Sequence, residues 1–378
     1  MRKVGIYIHI PFCKQKCFYC DFLSFCDKTE SIDKYIECMK KEIKLKSNKK
    51  GFIIDTIYIG GGTPSVIDGK LIREVLETIR ESFIIDKEAE ITIEVNPGTV
   101  NKEKLMIYKE SGINRISIGL QSTNSNLLKM LGRIHTYEEF MECFKLARHS
   151  GFKNINVDLM IGLPNQTLED INQSIEIISN LNPEHISVYS LIVEEGTKIS
   201  RDIEKGVLIL PKEEFERKMY WTVKEKLANN GYIHYEISNF AKEGYESKHN
   251  MNCWNQKEYL GFGASAHSYI NHIRYSNIES LDKYIDNISR WQIEKNKEVH
   301  EIQDIDSSKK EYMLLGLRKI DGVNITEFKN KFADNPIYLF RKELSKLAKE
   351  DLIEIDENSI KLTNKGLDLA NLVWEEFV

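Results

Sequence analysis

Three cysteines near the amino end of the chain stand at a spacing that suits a metal centre. Cys13, Cys17 and Cys20 form a C-x3-C-x2-C pattern directly after the apolar run from Val4 to Ile10. A structural zinc site takes four ligands, usually as two separated pairs, and the chain has no second pair of this kind. A [4Fe-4S] cluster is normally held by four thiolates. Three thiols in one loop would therefore leave one iron open to another ligand.

The alternatives are a disulfide with one spare thiol, or three unrelated thiols. The chain reaches Pro11 and Cys13 before any apolar run is long enough for a signal peptide, and no stretch approaches the ~20 apolar residues of a membrane span. These features predict a cytoplasmic protein, in which clustered cysteines are more often metal ligands. The net charge is −5 and charges of both signs are well mixed, so no basic face predicts nucleic-acid binding.

Strand-like and helix-like patterns alternate six times between residues 4 and 230. Such alternation requires parallel strands joined by right-handed crossovers, in a barrel-like or doubly wound sheet. Functional residues are then expected at the carboxyl ends of the strands, where the cysteine loop also lies. The predicted strands are Val4 to Ile10, Thr56 to Ile59, Ile91 to Val95, Arg115 to Leu120, Ile155 to Ile161 and His185 to Leu191.

Polar or glycine residues recur at the predicted strand ends. The second strand ends in Gly60-Gly61-Gly62-Thr63, a run that lets backbone groups approach a ligand. Glu94, Gln121 and Asp158 stand at or near the ends of the third, fourth and fifth strands. Helix capping and turn formation would explain each of these residues singly. The recurrence at successive strand ends favours one shared binding site.

A smaller module is predicted from residue 306 to the end. Helical patterns from Glu311 to Arg318, Ile325 to Phe332 and Ile337 to Glu350 precede two short strands, Leu352 to Ile355 and Ile360 to Thr363, and a last helix. Three helices and a hairpin are typical of a winged-helix-like domain. The module has 12 Lys and Arg against 14 Asp and Glu, without the basic excess that DNA binding requires. We expect it to cover the barrel or to contact a protein partner.

The cysteine spacing and the strand-end motifs resemble those of radical S-adenosylmethionine (SAM) proteins. Within them, the chain resembles the oxygen-independent coproporphyrinogen III oxidases and their relatives, the HemW haem chaperones, nearly from end to end. The resemblance implies an α/β fold, an incomplete (β/α)6 TIM-like radical SAM barrel over residues 1–235. A HemW-type extension over 236–305 and a C-terminal winged-helix-like domain over 306–378 would follow.

The same resemblance implies the cofactors and their ligands. Cys13, Cys17 and Cys20 would bind a [4Fe-4S] cluster, SAM would chelate the open iron, and an electron donor such as flavodoxin or ferredoxin would supply the cluster. No catalytic residue is assigned. The residues implied to line the SAM site are Tyr7, Tyr19, Gly61, Gly62, Thr63, Glu94, Gln121, Arg133 and Asp158.

Two departures separate this chain from the oxidases. The oxidases carry a further cysteine two residues after the third ligand, where this chain has Phe22, and they have a longer region before the cysteine loop. Both departures favour the chaperone, which binds haem and passes it to an acceptor protein that the sequence does not identify. The alternatives are an oxidase of porphyrin biosynthesis and, third, a radical SAM enzyme with an unrelated substrate.

The run from His249 to Trp254 resembles the HemW pattern His-Asn-x-x-Tyr-Trp, with Cys253 in place of the tyrosine. Imidazole and thiolate are both axial ligands of haem iron, so His249 and Cys253 are candidate haem ligands. The alternative is that His249 bonds a backbone carbonyl beneath the barrel. His267 is a weaker candidate, in the small-residue turn 261–268, which suits close approach of a flat ligand or of another backbone segment.

Overall fold

The computed structural model describes residues 2–47 and 51–378. Six β/α units follow one another in the order that the sequence predicts. Neighbouring strands of the six pair in parallel, so their carboxyl ends lie along one edge. The strands are β1 (Arg2–Ile10), β2 (Phe52–Gly61), β3 (Ile84–Val95), β4 (Arg115–Gln121), β5 (Ile155–Ile161) and β6 (His185–Ser190). The helices are α1 (Ile32–Lys46), α2 (Gly69–Ser82), α3 (Lys102–Glu110), α4 (Ser125–Met130), α5 (Tyr137–His149), α6 (Leu168–Leu181), α7 (Lys198–Glu204) and α8 (Glu213–Asn229).

The segment after α8 extends the same sheet on both sides. Its strands are β7 (Ile233–Glu236), β8 (Asn239–Ala241), β9 (Tyr259–Phe262), β10 (His267–Ile270), β11 (Ile273–Asn277) and β12 (Lys297–Ile302), with helices α9 (Lys248–Trp254) and α10 (Leu281–Ser289). Strand β8 pairs antiparallel with β6, and β9 pairs parallel with β1. Strands β7 and β12 form the two edges of the twelve-stranded sheet within the described residues. The sheet therefore has two open edges in the described part of the chain.

Apolar and polar side chains alternate along the six parallel strands. Isoleucines such as Ile6, Ile57 and Ile93 are fully buried or nearly so and belong to one core with the surrounding helices. Because successive residues of a strand point to opposite faces, the polar residues between them share the other face. That inner face carries Tyr7, Tyr58, Glu90, Thr92, Glu94, Arg115, Ser117, Asn156, Asp158, His185 and Ser187. Its polar groups need partners inside the protein.

The turn around Gly261 and Gly263 brings backbone segments together. A Cβ on Gly261 would collide with the His267 carbonyl oxygen, and one on Gly263 would collide with the Tyr35 hydroxyl. Gly263 also has a φ of +100°, which side chains other than glycine rarely adopt. Of the two uses predicted for this turn, the close approach of another backbone segment is the one observed.

The C-terminal domain has its own core and a three-stranded sheet in the order β13-β15-β14. The predicted helices and hairpin are present, although the first helix begins at Ile305 rather than at Glu311. The helix predicted from Ile337 to Glu350 is divided near Phe340, and the predicted last helix is divided at Leu369. No helix in the described part of the chain is long and apolar enough to span a membrane. The elements are α11 (Ile305–Gly316), β13 (Val323–Asn324), α12 (Ile325–Phe332), α13 (Pro336–Leu339), α14 (Arg341–Lys349), β14 (Ile353–Ile355), β15 (Ser359–Leu362), α15 (Asn364–Asp368) and α16 (Ala370–Glu375).

Candidate functional site

A cavity of about 580 Å³ opens at the carboxyl ends of the parallel strands. All three cysteines of the C-x3-C-x2-C loop line it. Eight of the nine predicted SAM-site residues also line it: Tyr19, Gly61, Gly62, Thr63, Glu94, Gln121, Arg133 and Asp158. Residues far apart in sequence meet here because most of them stand at or beyond the carboxyl end of a parallel strand, while Asp158 faces the cavity from within β5.

Backbone hydrogen bonds hold the cysteine loop against the glycine loop that follows β2. Gly62 N donates to the Ile10 oxygen at 3.0 Å, and Thr63 N donates to the Phe12 oxygen at 2.8 Å. The Thr63 hydroxyl also lies 3.4 Å from Cys13 Sγ, which is buried. The first thiol is therefore fixed in place by the strand next to its own.

The three thiols of the loop fit a [4Fe-4S] cluster. Within residues 2–47 and 51–378, no three His, Cys, Asp or Glu side chains are placed to hold one metal ion. In a cubane cluster each thiolate would bind a different iron, so three thiols that line one cavity suit it. A Cβ on Gly62 would lie 3.0 Å from Cys13 Sγ, so this glycine keeps the space beside the thiol open.

Two carboxylates face the cavity in different surroundings. Glu94 accepts a hydrogen bond from the Tyr58 hydroxyl at 2.8 Å, and burial raises its pKa to about 7. Asp158 accepts from the Tyr189 hydroxyl at 2.8 Å and from Asn156 Nδ2 at 2.6 Å. Burial also raises the pKa of Asp158, while these hydrogen bonds oppose the rise. Both groups suit ribose hydroxyls or a cationic ligand.

Arg133 supplies a fixed cation beside the second thiol. Its Nη2 donates to Asn96 Oδ1 and to the Gly119 oxygen, both at 2.7 Å, and its Nη1 lies 3.4 Å from Cys17 Sγ. Its Nε is buried without a partner among the described residues. A guanidinium held in this way suits a carboxylate ligand.

This chain is similar to known proteins over almost its whole length. Residues 7–178 match the family model of the radical SAM superfamily, and residues 310–369 match that of the HemN C-terminal domain. The haem chaperone HemW of Bacillus subtilis is 40% identical over 377 residues, which cover 98% of each chain. HemW of Lactococcus lactis is 38% identical over 372 residues, covering 98% of this chain and 96% of the relative.

The chain belongs to the HemW family. Among solved structures, coproporphyrinogen III oxidase (HemN) from Escherichia coli superposes with a TM-score of 0.86, covering 100% of this chain and 90% of the oxidase. Its identity is 23%, so this likeness supports the fold alone. Radical SAM membership implies a [4Fe-4S] cluster and SAM, which together supply electron transfer and radical chemistry when bound.

The remaining predicted site residues of this HemW-family chain lie outside the cavity wall. Tyr7 stands beside it, with its hydroxyl 3.0 Å from His9 Nδ1 and its ring stacked on Tyr58. His267 stacks on His300 on the β10 side of the sheet, with ring centroids 5.3 Å apart. None of these contacts of Tyr7 and His267 involves the cysteine loop.

His249 and Cys253 both lie on α9, beneath the inner face of the sheet. His249 is only 7% exposed, and its Nδ1 forms a 3.0 Å hydrogen bond with the Thr56 hydroxyl. Burial lowers the pKa of His249 to about 4 and raises the pKa of the Cys253 thiol to about 11. At neutral pH the imidazole is therefore uncharged and the thiol protonated.

Several residues of the site were not identified from the sequence. Tyr58, Asn96, Ser117 and Tyr189 all contact the predicted site residues, and Arg115 lies almost fully buried on the same face. The signal that could have found most of them is the period-two alternation of polar and apolar residues along the strands. Polar residues on a predicted buried strand mark the face that lines the site.

Proposed function

We propose that this HemW-family chain binds haem and delivers it to an acceptor protein. The observation that carries the proposal is the near full-length similarity to haem chaperones, at 38–40% identity. In this proposal Cys13, Cys17 and Cys20 hold the cluster, and the eight cavity residues named above surround SAM. The protein acts in the cytoplasm, where an electron donor such as ferredoxin or flavodoxin reduces the cluster.

The rim of the cavity supports haem binding. Phe22 and Ile192 line the cavity mouth and are 64% and 70% exposed, and Tyr189 beside them is partly exposed. Clustered exposed apolar side chains at a cavity commonly mark a binding site. A porphyrin is a flat and largely apolar ring that would cover these side chains. Lys16, at the same rim, offers a cation to a propionate.

Haem affinity should therefore depend on the rim. Replacing Phe22 or Ile192 with serine should weaken haem binding by about tenfold, because the ring would lose an apolar contact. Spectral titration of the reconstituted protein with haem measures the effect. Tyr338→Ser is the matched control, because Tyr338 is 77% exposed but lies in the C-terminal domain. If Phe22→Ser and Ile192→Ser bound haem as tightly as the Tyr338→Ser control, haem would bind elsewhere.

The prediction that His249 and Cys253 bind haem iron stays a prediction. The burial of His249 means that haem could reach it only if α9 or the sheet moved. His249→Ala and Cys253→Ala in the same titration separate this site from the rim. Loss of haem affinity in these variants, with the rim variants unaffected, would favour ligation by α9.

The rival function is coproporphyrinogen III oxidation. It is disfavoured because Phe22 occupies the position of the additional cysteine of the oxidases. An anaerobic assay of coproporphyrinogen conversion tests this directly, and we expect no turnover above that of protein lacking the cluster. Turnover at an enzymatic rate by a protein that fails to bind haem would overturn the chaperone proposal.

SAM affinity should fall as the pH decreases through about 7, the pKa of Glu94. Below that pH the carboxylate takes up a proton and no longer attracts the SAM cation, which should cost about tenfold between pH 8 and pH 6. Anaerobic calorimetry measures this dependence, and Glu94→Gln should flatten it. A pH profile that is the same in both proteins would contradict the role of Glu94. The groups that face Glu94 are Tyr7, Tyr58, Arg115, Asp158 and Tyr189.

A further inference from the structure

A second polar layer lies beneath the cavity, on the inner face of the sheet. At its centre is Tyr58, whose hydroxyl donates to Glu94 at 2.8 Å. The ring of His249 stacks on Tyr58 with centroids 5.1 Å apart and an interplanar angle of 30°. On β1, the ring of Tyr7 stacks on Tyr58 at 6.4 Å. These neighbouring rings restrict the orientation of Tyr58. They therefore also fix the position of its hydroxyl, from which Glu94 accepts a hydrogen bond.

His249 is itself held firmly by two strands. Its ring is bonded to Thr56 on β2, as described above. Its backbone N–H donates to Glu90 Oε1 at 3.1 Å, and the Lys248 N–H donates to Glu90 Oε2 at 3.1 Å. One carboxylate on β3 thus anchors the first turn of α9, which satisfies amides that no helical carbonyl could reach. The imidazole is a fixed support beneath Tyr58.

A separate hydrogen-bonded chain runs to Asp158 from the residue that caps α9. The Ser247 N–H donates to the Tyr235 hydroxyl at 3.2 Å, and this hydroxyl bonds His185 Nε2 at 2.7 Å. His185 Nδ1 bonds Asn156 Oδ1 at 2.6 Å, and Asn156 Nδ2 donates to Asp158 at 2.6 Å.

The direction of this chain is fixed by its chemistry. The amide oxygen of Asn156 can only accept, so His185 donates from Nδ1. Burial lowers the pKa of His185 well below its ordinary value, so the imidazole is neutral and its Nε2 accepts from the Tyr235 hydroxyl. Every donor then points toward Asp158. Aligned hydrogen bonds of this kind reinforce one another and favour the charged carboxylate.

We propose that His249 and Tyr235 are positioning residues of the SAM site, acting on Glu94 through Tyr58 and on Asp158 through His185 and Asn156. The proposal rests on the SAM site of the proposed function and is independent of haem. In this role the segment from Tyr235 to His249 acts from its observed place beneath the sheet. Neither α9 nor the sheet has to move.

The first test is SAM affinity, measured by anaerobic calorimetry on the reconstituted full-length protein. His249→Ala removes the support of Tyr58, and we expect SAM to bind about tenfold more weakly, with the iron content unchanged. His249→Phe keeps a ring against Tyr58 and should restore most of the affinity. Asn252→Ala is the control on the same helix, because the Asn252 side chain donates a hydrogen bond to Asp55, which is not one of the residues of this polar layer.

A double-mutant cycle separates positioning from a general structural role. If His249 acts through Tyr58, His249→Ala should add little to the loss already caused by Tyr58→Phe. Additive losses, or unchanged SAM affinity in His249→Ala, would overturn the role of His249. Tyr235→Phe should weaken SAM binding independently, and unchanged affinity there would overturn the role of Tyr235.

Haem titration of the same variants keeps the two proposals distinct. Loss of haem affinity in His249→Ala with normal SAM affinity would make His249 a haem ligand and overturn its positioning role. Failure of the wild-type protein to bind haem would overturn the chaperone function and leave the SAM measurements unaffected. If His249→Ala does not fold, Tyr58→Phe and Tyr235→Phe carry the test, and normal SAM affinity in both would refute the proposal.

Discussion

Replacing Cys17 with alanine should remove nearly all of the iron–sulfur cluster. Each of the three loop thiols would bind a different iron, so the loss of one leaves two protein ligands for the whole cluster. We expect the variant to hold at least about tenfold less iron than the wild type after anaerobic reconstitution. Iron and sulfide analysis, together with the visible absorption of the cluster, measures the loss.

Cys26 provides the decisive control, because it is the cysteine next along the chain and its thiol is exposed. Cys26→Ala should keep the full iron content, since three protein ligands suffice when SAM completes the fourth iron. Cys143→Ala controls for the loss of a buried thiol, since Cys143 packs in the core through α5. If Cys26→Ala lost as much iron as Cys17→Ala, the cluster would have four protein ligands and no open iron.

Adding a methyl group to Gly62 should also prevent normal cluster assembly. A Cβ there would lie 2.9 Å from the Phe12 oxygen and 3.0 Å from Cys13 Sγ. Those atoms cannot withdraw easily, because the backbone bonds of Gly62 and Thr63 fix the two loops together. We expect Gly62→Ala to destabilise the protein by about 2 kcal/mol and to bind several-fold less iron.

Gly60→Ala is the matched variant two residues earlier. The nearest neighbours of a Cβ on Gly60 would be Glu94 Oε2 and the Tyr58 ring, both at 3.0 Å, rather than atoms of the cysteine loop. It should therefore keep its iron and bind SAM more weakly. Gly61 is unsuitable for this comparison. Its φ of +114° strains any other residue, and an added Cβ would collide with the His9 ring, so a substitution there would disturb the fold. Equal iron loss in Gly60→Ala and Gly62→Ala would contradict the assignment.

Local sequence determined the elements that deliver the site. Strand β5 and helix α12 have the bounds predicted from the sequence, Ile155 to Ile161 and Ile325 to Phe332. Hydrophobic periodicity is a local property, so it predicts a strand or helix without knowledge of its partners. The parallel order of the six units then placed the strand-end motifs at one edge. For this reason the cysteine loop and most of the predicted SAM residues were found together in one cavity.

Tertiary structure alone decided what lies beneath that cavity. His249 meets Thr56 across 193 positions of sequence, and Tyr235 meets His185 across 50. Spacing in the sequence could mark His249 as a potential ligand, but it could not show that its ring is stacked on Tyr58 and buried. Which strands pair at the ends of a sheet, and which side chains then meet, depends on packing between distant segments. Those contacts bury His249 and place its ring against Tyr58, and they are the basis on which its positioning role is proposed.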